Sequence, residues 1–220
     1  MKKLAAFFAL LLIAFGVFVW QLPASVIAAF VPTQASKFVQ MHRVSGSLWN
    51  GRSLLSVIGV APAIPVAWAC RPSMSPAGVR CELQEGLTGA VTVDALNGSL
   101  HVERVTAMLP VQYMMGANMG AASTGVTADI ATATVSQQTM TIKGSLRAAD
   151  ATYRAGAADV SLGEVSADCA PGADSRTTIC MLSNRGGSGR LDGKINLAPT
   201  RANGNLELVP ATGPVQRIAF

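Results

Sequence analysis

The residues best placed to do chemistry are four cysteines in two pairs, Cys70 with Cys81 and Cys169 with Cys180, each pair eleven positions apart. Each pair encloses a polar, turn-rich insert, RPSMSPAGVR in one case and APGADSRTTI in the other. Metal sites usually place two ligands two to four residues apart, and His42 and His101 are the only histidines, so zinc has little to bind. Catalytic thiols are equally unsupported. What remains is disulfide chemistry in an oxidising compartment. Three connectivities are formally possible, and the equal spacing favours the local one, each bond stapling the base of a loop. In the chain-entropy description such a staple contributes up to about 3 kcal/mol.

Other reactive groupings fail on context. Met114, Met115 and Met119 carry thioethers that suit Cu(I), but no second group of soft ligands accompanies them, and core packing explains them better. The RGGSGR segment lacks the strand–turn–helix setting and the Lys-Ser/Thr ending of a phosphate loop. No H-E-x-x-H, G-x-S-x-G or S-x-x-K pattern is present, and neither histidine belongs to a recognisable acid–base motif. No catalytic residue, cofactor or metal is therefore assigned. The net charge of +5 comes from singly scattered Lys and Arg, with no cluster beyond Lys2 and Lys3 and no interleaved aromatic platform, which argues against nucleic acid.

The elements that must position the cysteines begin with an export signal. Lys2 and Lys3 precede an uncharged apolar run, 4–20, which as a helix reaches roughly 25 Å, near the lower limit for spanning a bilayer. The first acidic residue is Glu82, and the positive-inside rule then predicts a cytoplasmic tail, 1–3, one transmembrane helix, 4–20, and an exported remainder. Trp20 falls where an interfacial aromatic belongs. The rival reading is a cleaved signal peptide, against which stand the lack of a clean A-x-A after the apolar run and a second apolar stretch from Ala24 to Phe30. A juxtamembrane segment, 21–40, leads into the body of the protein.

That body reads as short alternating segments punctuated by Gly, Asn and Pro, which is the pattern of an antiparallel sheet. Asn97 and Gly98 predict a type I′ hairpin turn with Val91 and Val93 before it and Leu100 and Val102 after it, and Asn203 and Gly204 predict a second tight reversal. Pro110 could open a short helix reaching Met119. Trp49 and Trp68 bracket a strand pair and read as core or interface anchors.

The equal cysteine spacing also suggests a duplication. Gly46 in SGSL lies 24 positions before Cys70, and Gly144 in KGSL lies 25 before Cys169. Gly89 follows Cys81 by 8 and Gly189 follows Cys180 by 9, and the halves close on MLP at Pro110 and LVP at Pro210. The expected organisation is a first β repeat over 41–110, a linker and first strand over 111–137, and a second β repeat over 138–220.

The segments LPASVIAAF, VSGSLWNGRS and PVAWAC, in this order, resemble protein N of the type II secretion system. The family pattern is a Gly-x-x-Trp-x-Gly segment, here Gly46, Trp49 and Gly51, with a further Trp in the next strand, here Trp68. The resemblance covers most of the chain. It implies a mainly β, elongated exported domain similar to AsmA-like scaffolds, held in the inner membrane with its C-terminal domain in the periplasm. It also implies non-enzymatic partnership with other secretion subunits, the inner-membrane platform or the outer-membrane secretin, and contact with membrane lipid. A competing expectation is a periplasmic lipid-binding or lipid-transfer protein, with an apolar groove on a long curved sheet.

Overall fold

The structure, a computed structural model, describes residues 21–24, 39–57, 63–109, 121–123, 125–155, 158–211 and 214–219. The apolar run 4–20, the segment 25–38, and the helix expected from Pro110 to Met119 lie outside these residues. Among the described residues no helix is long and apolar enough to cross a membrane.

The alternating segments form one antiparallel sheet in which strands pair in sequence order, apart from one two-residue strand. Its first half comprises β1 (Val39–Gly46), β2 (Asn50–Val57), β3 (Ile64–Met74), β4 (Ala77–Glu85), β5 (Leu87–Asp94) and β6 (Ser99–Leu109). Then follow β7 (Ala121–Ala122), β8 (Gly125–Val135), β9 (Met140–Ala155), β10 (Ala158–Pro171), β11 (Thr178–Arg185), β12 (Arg190–Ala198), β13 (Arg201–Val209) and β14 (Gln216–Ala219). The two-residue β7 extends the line of β8 along the same flank of β9.

Because side chains alternate across a strand, the pairing register assigns every residue to one of two faces. One face is predominantly apolar. Val66, Trp68, Leu83, Val91 and Val102 occupy it in the first half, and Leu146, Ala167, Leu182, Leu206 and Ile218 form a single cross-strand row in the second. The opposite face carries Arg80, Thr92, His101, Thr134, Arg147, Ser166, Asp192 and Glu207. Bulges keep the two faces in step along the strands. Arg104, at φ 48°, is the extra residue of β6, and Ala131 is skipped in β8 at the same level, so Val105 and Ile130 stay on the apolar side.

The sheet bends towards its apolar face in the second half. Tyr153 on β9 donates its hydroxyl proton to Gln216 Oε1 on β14 at 3.1 Å, although four strands separate them in the ladder. Beneath that closure Ala151, Val160, Leu162 and Leu208 form a buried cluster with Tyr153, Val165 and Leu191 against it.

Three local expectations are corrected. The β5–β6 hairpin has Val91 opposite Val102 and Val93 opposite Leu100, as expected, but its loop has four residues, 95–98, closed by Asp94 and Ser99. Asp94 Oδ1 accepts from the backbone N–H of Leu96 and of Asn97, and this side-chain turn displaces the two-residue type I′ form. Asn203 and Gly204 are not a reversal: they pair with Asn196 and Ile195 inside the β12–β13 ladder. The chain turns instead at Pro199 and Thr200, where proline presets the φ that the first turn position needs. Finally, Gly46 and Gly144 are not equivalent. Gly144 lies mid-strand opposite Cys169, whereas Gly46 ends β1 opposite Gly51.

Candidate functional site

Both cysteine pairs form disulfides in the local connectivity, Cys70 with Cys81 and Cys169 with Cys180, and no cysteine is left free among the described residues. Each joins directly opposed residues on the apolar face. The first does not close a loop. From Cys70 and Cys81 the ladder continues through Met74 and Ala77, so the insert is itself a paired hairpin with Ser75 and Pro76 at its tip. In the second, pairing ends at Pro171 and Thr178, and a true loop, 172–177, follows.

The residues of the Gly-x-x-Trp-x-Gly segment converge on one corner of the sheet. Gly46, at φ +94°, ends β1, and the chain reverses through Ser47, Leu48 and Trp49 into β2. A β-carbon on Gly51 would come within 2.6 Å of Trp68 Cζ2, so the absence of a side chain there lets the indole lie against the strand. Trp68, 5% exposed, donates its Nε1–H to the Leu48 carbonyl at 3.1 Å, and the Cys70 amide donates to the Trp49 carbonyl at 2.6 Å. Thus Trp68 and the first disulfide together hold the β1–β2 turn.

That turn receives the segment that follows the apolar run. Leu48 N–H donates to the Leu22 carbonyl at 2.9 Å, Ala24 N–H donates to the Gly46 carbonyl at 3.1 Å, and Pro23 bridges Ser47. Ala24 is 1% exposed. The corner is therefore a socket for the segment that leaves the apolar run, a role that spacing in sequence does not reveal.

The polar face holds the titratable groups. Arg80 donates to Glu103 Oε2 at 2.8 Å and to Thr92 Oγ1 at 3.5 Å, and this hydrogen bond and positive charge hold the Glu103 carboxyl below its usual range. The Asn97 side-chain and backbone N–H groups do the same for Asp94. His101 contacts Ser99 Oγ at 2.9 Å through Nε2 and Thr134 Oγ1 at 3.2 Å through Nδ1. Sequence reading missed this array, although the period of two already placed Ser99 and His101 on one face. Its third member is a hydroxyl, which cannot stabilise an imidazolium as a carboxylate does. Farther along the same face an open trough of about 590 Å³ runs across β5 to β9, lined by residues that include Thr88, Thr106, Thr127, Asp129, Ser145 and Arg147. Thr88 and Thr106 hydrogen-bond each other across it at 2.6 Å.

No group of three or more His, Cys, Asp and Glu residues among those described could hold a metal ion. The arrangement is one of rigid ladder, stapled hairpins and a docked entry segment. No curated protein matches the chain, nor does any solved structure. The model of the family described as "Type II secretion system (T2SS), protein N" matches residues 37–214, which runs from the start of β1 to the threshold of β14. With about four fifths of its length accounted for by that one match, the chain belongs to the type II secretion system protein N family.

Proposed function

We propose that this component of the type II secretion system is a non-enzymatic scaffold, anchored in the inner membrane by residues 4–20 with its sheet in the periplasm. The observation that supports it best is continuity. A single ladder runs from β1 to β14 with disulfides at two places along it, and the family match spans nearly all of it. A sheet of this kind holds partners by its edges and faces and needs no chemistry of its own. Its partners on this reading are the inner-membrane platform or the outer-membrane secretin. Deleting the chain from a host that secretes through this system should leave folded cargo stranded in the periplasm; undiminished secretion would sink the proposal. A reporter fused after Phe220 should be active only outside the cytoplasm.

A second reading, a periplasmic lipid-binding or lipid-transfer protein, has one supporting observation. The apolar face carries a cross-strand row of Leu146, Ala167, Leu182, Gly193, Leu206 and Ile218, some of it partly open to solvent, and it is the face towards which the sheet curls. Delipidated protein that takes up no labelled phospholipid would remove this option.

A further inference from the structure

We infer that the end of the sheet carrying Met74 and Leu96 rests on the bilayer that holds residues 4–20, with these two side chains in its interfacial layer. The inference rests on the anchored reading above. Met74 is 97% and Leu96 81% exposed, the two most exposed large hydrophobic residues among those described. They crown neighbouring hairpins, β3–β4 and β5–β6, and the Ala95 N–H donates to the Ala77 carbonyl at 3.0 Å, which keeps the two tips level. Asp94 fixes the second loop through the N–H groups of Leu96 and Asn97. Neither 72–79 nor 95–100 contains a charged residue.

Position supplies the occupant. The chain leaving the apolar run docks on the β1–β2 turn through Leu22 and Ala24, and that turn lies at the same end of the sheet as both tips. Asn50 pairs with Ala69, so the Met74 tip projects five residues farther, about 16 Å at strand spacing. The tips thus stand at the end of the sheet by which the chain enters, the side on which a bilayer holding residues 4–20 lies. Behind them, directly opposed across β3 and β4, stand Arg71 and Arg80. Each is paired with a glutamate, Glu82 or Glu103, and each sits about 10 Å below the tip, a depth suited to lipid phosphates. The hairpin ends of the second half differ: the β8–β9 turn reads Ser-Gln-Gln-Thr, and the loop 172–177 carries Asp174 and Arg176.

The four native cysteines are all engaged in disulfides, so one added thiol can be labelled selectively. Full-length Met74→Cys, Leu96→Cys and, as the control on the β11–β12 turn at the opposite end of the sheet, Ser188→Cys would carry an environment-sensitive fluorophore. Each protein would be reconstituted into phosphatidylethanolamine–phosphatidylglycerol vesicles bearing lipid-borne quenchers at graded depths. Labels at 74 and 96 should be quenched several-fold more than the label at 188, most strongly by shallow quenchers. Equal quenching at all three positions would overturn the inference. So would tip labels left unquenched by lipid yet shielded in membranes containing the other secretion subunits, which would assign the tips to a protein. Alkaline extraction of the same vesicles separates the two levels. A chain washed free removes the anchor and the inference together, whereas an embedded chain with unquenched tips removes the inference alone.

Discussion

The two halves of the sheet share a disulfide hairpin set in the same surroundings, yet they stabilise themselves differently. Two residues beyond the second cysteine stands a leucine, Leu83 or Leu182, and opposite it a glycine, Gly89 or Gly193. Opposite the second cysteine itself is Val91 or Ile195. The correspondence diverges two residues before the first cysteine, where one half has Trp68 and the other Ala167. With its indole the first half grips the β1–β2 turn and hence the entering chain. The second half closes on itself through Tyr153, Gln216 and the Leu208 cluster. Asn184 knits that closure, donating to the Leu162 and Gly189 carbonyls at 2.6 and 2.8 Å and accepting from the Leu191 N–H at 2.7 Å. One repeat is built to be attached, the other to be self-sufficient.

The sharpest way to break this contrast is Trp68→Ala. Removing a buried indole should cost about 3–5 kcal/mol and lower the melting temperature by roughly 10 °C. It should also speed hydrogen exchange at the Leu48 and Ala24 amides. A loss below about 1 kcal/mol would mean the indole does not hold the turn. Next come the disulfides. Replacing both cysteines of either pair by alanine should cost about 3 kcal/mol in urea unfolding, and the two losses should match because the closed loops are equal in length. Unequal losses would show how far native packing departs between the halves.

Asn184→Ala should cost about 2 kcal/mol, since it strands two backbone carbonyls and one N–H that the side chain now satisfies. That loss should be confined to the second half, so exchange protection around Trp68 should be unchanged. The smallest effect concerns pH. Glu103 titrates below its ordinary range because Arg80 hydrogen-bonds it, so its contribution is full above the unfolded pKa and disappears as pH falls through the folded one. Acidification from neutral pH towards 3 should lower the melting temperature of the native chain more than that of Glu103→Gln; identical profiles would remove the pair from the account.

Much of the ladder was legible beforehand. Alternation at Val91 and Val93 and again at Leu100 and Val102 marked strands correctly, because a half-buried strand repeats every two residues. Local disulfide pairing followed from equal spacing, and the convergence of Gly46, Trp49, Gly51 and Trp68 on one corner gives their spacing a physical reason. Turns were harder. Asn97 and Gly98 signal a reversal wherever they stand, but Asp94 offered backbone donors a better partner and lengthened the loop by two residues, which preserved the faces. At Asn203 and Gly204 the same signal was overruled, because Pro199 had already turned the chain. Equal cysteine spacing matched two like disulfide hairpins, but Gly46 and Gly144 do not correspond, since short Gly-Ser-Leu runs suit a turn and a strand equally well.

By itself, the order of residues pointed to strands on either side of its turns, to the alternation of their side chains, and to local pairing of the cysteines. These depend on neighbours a few positions apart. Only the tertiary structure decided that the strands join into one ladder, that bulges at Arg104 and Ala131 keep its apolar face continuous, and that the segment 22–24 returns to the β1–β2 turn. Those outcomes depend on register and curvature summed over many strands, and on an indole whose hydrogen-bond partner lies twenty residues away.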